Sequence, residues 1–353
     1  MDPYGLRRVV RPAGVLPQRA DVLDATPRCG EDELAIAVEA LNVDAASFRQ
    51  LESAVGRDPA RIAAEVERIV RDRGKMHNPV TGSGGMLIGR VREIGPRHPA
   101  AATLRPGDRI ATLVSLTLTP LRLDRIRAVR PEIDRVECEG TAILFATGLW
   151  ARLPDDVPER LALAALDVCG APALVARQAR PGQRVLVLGA GKSGALVCAQ
   201  ARESLAGSGT VVAADRSEAA LAAVRDAGLC DETLVVDATD AVGTLGRVLA
   251  SAARADAEER HADTRGLFDL VVSCTSVPGA EMAAILAAKD GGTVIFFSMA
   301  TSFTAVALGA EGVGKDAALL VGNGYVPGHA ELTLGLLRRH AGLRALFEER
   351  YAR

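Results

Sequence analysis

Six short apolar runs lie between residues 184 and 321, and helical, alanine-rich segments separate most of them. They cover 184–188, 210–214, 233–236, 268–273, 293–297 and 318–321, and each is apolar nearly throughout. A strand of that kind must be covered on both faces, and strands alternating with helices build a doubly wound parallel sheet. Directly after the first run comes Gly189-Ala190-Gly191-Lys192-Ser193-Gly194, which opens a helical stretch. Gly189 suits the tight turn, Gly191 a close approach of backbone to pyrophosphate, and Gly194 the packing of helix on strand. The helix start adds N–H groups and a positive dipole end for the phosphates, where Lys192 and Ser193 also stand. A lone glycine pattern is weak evidence, but here Asp215 follows 21 residues after Gly194, at the end of the next run. A carboxylate at that place accepts hydrogen bonds from the adenosine ribose. The expected ligand is therefore a dinucleotide. Asp215 would repel a 2'-phosphate and points to NAD, while the adjacent Arg216 would pair with one and keeps NADP open. Cys274-Thr275 and Ser298-Met299 follow later strands at their carboxyl ends, so they are expected beside the cofactor.

The first half is patterned differently. Residues 33–41, 85–94 and 108–114 alternate polar with apolar, as half-buried strands do. One helix interrupts them over 58–73: Asp58 caps it, Pro59 takes its first position, and Gly74 ends it. Ile62, Val66, Ile69 and Val70 share one face, and the charged opposite face reads as solvated surface. The expected domains are residues 1–154, mostly β with that helical insertion, and 155–336, the doubly wound sheet. Residues 337–353 are expected to be a helix packing back on the first domain.

Composition excludes several classes. Lys plus Arg number 42 against 44 Asp plus Glu, so no basic surface supports nucleic-acid binding. No uninterrupted stretch of 18 apolar residues exists; even 161–176 carries Asp167, so no membrane span is expected. Arg7, Arg8, Arg11 and Pro12 break any signal-peptide order, which leaves the cytoplasm as the default. The six cysteines are scattered without a C-x-x-C pair, as expected of reduced thiols rather than a structural zinc site. His98, His261 and His340 sit in polar surroundings and read as surface.

The order of these features, with VEALNVDAASF, GSGGMLIGRVREIG, LRPGDRIATL and LPDDVP ahead of the glycine fingerprint, resembles the medium-chain dehydrogenase/reductase superfamily. That resemblance implies an α/β fold, with a Rossmann doubly wound parallel sheet plus a mostly β, GroES-like catalytic domain. Zinc members would carry a metal-binding cysteine within residues 41–44 and Gly-His-Glu within 81–85; this chain has neither. It also lacks the four-cysteine lobe, so the resemblance implies a metal-free site. Two long strings, GKMHNPVTGSGG at 74–85 and GNGYVPGHAE at 322–331, are similar to those of the L-erythro-3,5-diaminohexanoate dehydrogenase family. That family implies a small diamino acid substrate from lysine fermentation, hydride transfer from the carbon bearing its 3-amino group, and hydrolysis of the resulting imine. A homo-oligomer is expected.

Such chemistry needs a base to keep the amine neutral and to activate water, acidic groups for the second ammonium, and a cation or amide nest for the carboxylate. His77, Asp44, Asp167, His329 and Glu331 are the candidates for base and water activation. Asp167 stands out, because a carboxylate in an apolar run must be paired, protonated or at a site. Lys75, Ser83, Gly84 and Asn323 join Asp44 as candidate substrate contacts. Two alternatives remain at this point: a zinc-independent quinone or enoyl reductase of the same superfamily, and a non-catalytic dinucleotide-binding protein.

Overall fold

The computed structural model describes residues 2–78, 82, 84–255, 267–322 and 325–351, with only the backbone of 252–255. Ser83, Asn323 and His261 lie outside the described residues. The chain forms two compact units, Met1–Pro154 and Asp155–Arg353.

In the first unit, β1 (Val9–Arg11) pairs antiparallel with β2 (Val22–Leu23). Then follow β3 (Glu33–Asn42), α1 (Ala45–Val55), α2 (Pro59–Arg73), β4 (Met86–Ile94), β5 (Arg109–Thr112), β6 (Leu121–Arg130), β7 (Arg135–Phe145) and β8 (Trp150–Arg152). The six strands from β3 to β8 make one antiparallel sheet in the order β6-β7-β3-β4-β5-β8. β3 is central and largely buried. Its Leu34, Ile36 and Leu41 pack in one core with Phe48 and Leu51 of α1 and Ile62, Val66 and Val70 of α2. Asp58 accepts from the Ala60 amide and Gly74 closes α2 in the left-handed region at φ 66°, the boundaries its sequence signals require. Each fully buried aliphatic side chain on that stripe contributes about 1.5–3 kcal/mol. α1 departs from the sequence expectation of a single helix here. Its start is capped by Asp44, and only Ser47, Phe48 and Leu51 are buried, so its apolar stripe is too short to stand out.

His98 is a second departure. It is 2% exposed, with Nε2 against the Phe145 carbonyl at 3.1 Å and Nδ1 accepting from the Ala100 amide. Polar neighbours in sequence did not put it at the surface, because its ring satisfies two buried backbone groups.

The second unit begins with α3 (Glu159–Leu166) and α4 (Gly170–Gln178). The alternating part then runs β9 (Arg184–Leu188), α5 (Lys192–Leu205), β10 (Thr210–Asp215), α6 (Glu218–Asp226), β11 (Glu232–Val235), α7 (Ala241–Ala255), β12 (Phe268–Ser273), α8 (Glu281–Ala287), β13 (Ala288–Phe296), α9 (Phe303–Gly312) and β14 (Ala317–Val321). All five pairings are parallel and the order is β11-β10-β9-β12-β13-β14. The winding direction reverses between β9 and β12, which opens a crevice at their carboxyl ends. α10 (His329–Arg339) and α11 (Ala341–Tyr351) complete the chain. The described part of residues 337–353 clusters with the second unit. Leu343, Leu346 and Phe347 of α11 are buried, and the helix packs on α3, α5 and α6. Arg338 adds a two-pronged ion pair to Asp156 at 2.7 and 2.8 Å. His340, expected at the surface, is half-buried with Nε2 2.9 Å from Glu203.

Candidate active site

The glycine fingerprint has the geometry its residue types demand. Gly189 sits at φ 99°, and a Cβ there would come within 3.1 Å of the Cys274 backbone. A Cβ on Gly194 would fall 1.8 Å from the Gly189 carbonyl oxygen, so only glycine lets α5 lie this close to β9. Gly191 is the opposite case, with open space where its Cβ would be. It precedes α5 and offers no capping side chain, so the amides of the first turn stay available to an anion. A cradle that is open at Gly191 and closed at Gly189 and Gly194 fits a pyrophosphate.

The adjoining cavity, about 280 Å³, is lined by Asp215, Arg216, Asp237, Thr239, Cys274 and Thr275 among others. Asp215 Oδ2 accepts from the Ala190 amide at 2.7 Å and Oδ1 from the Ser217 amide at 2.8 Å. The carboxylate thus braces the fingerprint as well as facing the cavity. Sequence reasoning missed the 236–239 wall. Asp237 follows β11 and takes the amide and hydroxyl of Thr239 at 2.9 and 2.7 Å, which hold its carboxyl below the usual range. An Asp-x-Thr turn after a strand of the sheet was the available signal. Ser298 and Met299 do follow β13, but neither lines this cavity: Ser298 Oγ accepts from the Ala300 amide, and Met299 is 97% exposed. Lys192, expected at the phosphates, has its ammonium in an ion pair with Asp167.

That pair gives Asp167 a partner at the surface rather than in the core. α3 ends at Leu166, and Asp167 at its C-cap turns outward with its side chain 49% exposed. Neighbouring helical residues point about 100° apart, so an apolar run does not bury every member. Cys169 remains inside, and burial pushes its thiol up to about 12, which makes it packing rather than nucleophile. His329 opens α10, is 8% exposed and meets the Tyr325 ring edge-on at 5.3 Å. Burial lowers its imidazole pKa against the opposing pull of Glu331, which is itself exposed. Thr333 Oγ1 donates to the Cys169 carbonyl at 3.3 Å, so the structure gathers Asp167, Cys169, His329 and Glu331 on neighbouring elements of the second unit.

In the first unit the expected substrate contacts change roles. Asp44 spends one carboxylate oxygen on the Ser47 amide and the other on the Ser47 hydroxyl, at 2.9 and 2.7 Å. It is a helix cap. Lys75 is completely buried, with Nζ donating to the carbonyls of Pro17 and Gln18 at 2.9 and 3.4 Å. Desolvation, with Arg73 nearby, lowers its pKa to about 8. Gly84 is explained by packing, since a Cβ would lie 2.8 Å from the Met76 carbonyl. His77 is half-buried and held at one ring nitrogen. Nδ1 is held by the buried Thr117 hydroxyl, and Nε2 has no partner among the described residues. Burial first, then Lys75 and Arg73, lower its pKa, so at neutral pH the ring is an uncharged base. The ring lines a cavity of about 130 Å³ between α1, α2 and residues 76–78. Among the described residues, no three His, Cys, Asp or Glu side chains gather where they would hold a metal ion.

The profile of the L-erythro-3,5-diaminohexanoate dehydrogenase N-terminal domain matches residues 7–154. The L-erythro-3,5-diaminohexanoate dehydrogenases of Acetoanaerobium sticklandii and Fusobacterium nucleatum subsp. nucleatum are each 48% identical over 349 residues, 99% of this chain and 98% of theirs. The chain belongs to the L-erythro-3,5-diaminohexanoate dehydrogenase family. The chain shares its fold with an alcohol dehydrogenase from Thermotoga maritima, which superposes with a TM-score of 0.54 at 16% identity, over 90% of this chain and 85% of that one. A dehydrogenase of this family uses a nicotinamide dinucleotide, and the Gly189–Gly194 cradle is built to hold one. No helix among the described residues is long and apolar enough to cross a membrane.

Proposed function

We propose that the chain catalyses the oxidative deamination of L-erythro-3,5-diaminohexanoate to 5-amino-3-oxohexanoate and ammonia, with NAD as the preferred oxidant. The observation that carries this reading is the end-to-end 48% identity to two curated dehydrogenases of that name. The dinucleotide, when bound, supplies the hydride acceptor. Gly191 and the first-turn amides of α5 hold its pyrophosphate, and Asp215 takes the ribose hydroxyls and disfavours a 2'-phosphate.

His77 is the base. Thr117 fixes Nδ1 and so leaves Nε2 as the proton acceptor. Burial, and after it the neighbouring cations, favour the neutral imidazole, so it takes a proton from the 3-ammonium and yields the free amine that can lose hydride from its carbon. The product of that loss is an iminium ion. After giving its proton to solvent, the same imidazole accepts one from the water that attacks the iminium carbon. Collapse of the resulting carbinolamine releases ammonia and leaves the ketone. The six cysteines are all free thiols, consistent with a reducing compartment, and we place the enzyme in the cytoplasm.

The test is direct. Protein, 3,5-diaminohexanoate and NAD or NADP are mixed, and absorbance of the reduced cofactor is followed; turnover is expected, faster with NAD. Measurable cofactor binding without turnover on either cofactor rejects the reading.

A further inference from the structure

The cavity beside His77 carries a charge and an acceptor that the described residues leave unmet. α2 contains four arginines. Arg61 pairs with Asp58, Arg68 with Glu65 and Asp72, and Arg71 with Asp72. Arg73, half-buried at the end of the helix, has no carboxylate partner among the described residues, and it lines the cavity. Glu65 also reaches the wall, but Arg68 grips its carboxylate at 2.6 and 2.8 Å. Gln50 lines the cavity from α1, and its Oε1 is buried without a hydrogen-bond partner among the described residues. Leu51, Ala54 and Ile69 supply an apolar strip on the same walls. A buried carbonyl oxygen left unpaired is destabilising unless a ligand or water meets it. At about 130 Å³ the cavity is smaller than the ~300–1,000 Å³ of drug-sized pockets and suits a small metabolite.

An uncommitted guanidinium, an unfilled carbonyl acceptor, a neutral imidazole and a short apolar strip describe the complement of a diamino acid. We propose that this cavity is the specificity site for the substrate's non-reacting groups: Arg73 binds the carboxylate, and Gln50 Oε1 accepts from the C5 ammonium. The assignment rests on the function proposed above and gives it residues that sequence reasoning passed over, having read the charged face of α2 as solvated surface. Guanidinium and carboxylate make a charge-assisted pair that fixes orientation, so Arg73 anchors one end of the substrate and sets the register of the C3 amine against His77.

Three variants with matched analogues test it. Arg73→Met is expected to raise KM for 3,5-diaminohexanoate by about 10–100-fold, with kcat changed less than about threefold and cofactor Kd unchanged. The same variant should leave KM for 3,5-diaminohexanamide, whose carboxamide carries no charge, where it is in the wild type, and Arg73→Lys should recover part of the loss. Gln50→Leu is expected to raise KM for the diamino acid several-fold but not for 3-aminohexanoate, which lacks the C5 amine. Equal KM changes for substrate and analogue, or none for either, overturn the assignment while wild-type turnover leaves the function standing. Absence of wild-type turnover removes both.

Discussion

The dinucleotide cradle and the His77 cavity are built from different materials. The cradle is backbone: three glycines within six residues, the amides at the start of α5, and one carboxylate at the end of the neighbouring strand. The cavity is side chain: Gln50 from α1, Arg73 from α2, and His77 from the loop beyond, held by Thr117 forty residues later. A backbone site recognises what dinucleotides have in common and, at Gly189 and Gly194, tolerates no added atoms. A side-chain site recognises one substrate and adjusts by single substitutions. The two should therefore break in different ways.

The largest effect is expected at Gly194. Gly194→Val places a Cβ against the Gly189 carbonyl, a backbone atom that cannot swing aside. Dinucleotide binding, followed by fluorescence of the reduced cofactor, should be lost, with a lowered thermal midpoint; retained affinity would show that the cradle is more yielding than its geometry implies. His77→Asn should instead leave cofactor affinity intact and lower kcat by about 10²–10⁴-fold, the usual loss of a general base. The wild-type kcat/KM should fall as pH drops through the imidazole's pKa, which lies below its ordinary value of 6.5. That limb should be absent in the variant; a persisting limb assigns it to another group.

Lys75 tests whether the cavity's cationic border is structural. Its pKa of about 8 is below the unfolded lysine value, so between the two the unfolded chain binds more protons. Stability of the wild type relative to Lys75→Met should therefore rise from about pH 8 toward the ordinary lysine pKa, by about 1–3 kcal/mol. A flat difference across that window, measured by denaturant unfolding, places the lysine outside the buried cluster. The smallest effect concerns cofactor choice. Asp215→Asn should shift the ratio of kcat/KM values toward NADP by about tenfold, and Arg216→Ala should shift it the other way. An unchanged ratio in both variants would move discrimination to the 236–239 wall.

What could be read before the structure tracks the same contrast. α2 was legible to the residue because a capping Asp, a first-position Pro, a stripe at helical spacing and a terminal Gly are all local signals. The cradle was legible because its parts are contiguous and tied to a strand and a helix. α1 was not, because Asp44 reads equally as a turn residue until its contacts with Ser47 are seen. The exposure of Asp167 was not legible, because a helix turns neighbouring residues about 100° apart and one member of an apolar run can point to solvent, here beside Lys192. Arg73 was hidden for the converse reason: nothing in the string PARIAAEVERIVRDR distinguishes an arginine that has a partner from one that lacks it.

The sequence alone determined the parallel sheet, the dinucleotide cradle and the family, since these depend on short-range periodicity and on glycines whose missing side chain is itself the signal. Only the tertiary structure decided which charged groups are already spent. Asp44 is committed to a helix cap, Lys75 to two carbonyls and Asp167 to an ion pair, whereas among the described residues Arg73 has no carboxylate partner and Gln50 Oε1 no hydrogen-bond partner. Whether a polar group is satisfied depends on atoms brought together from distant parts of the chain, and that information exists only once the chain has folded.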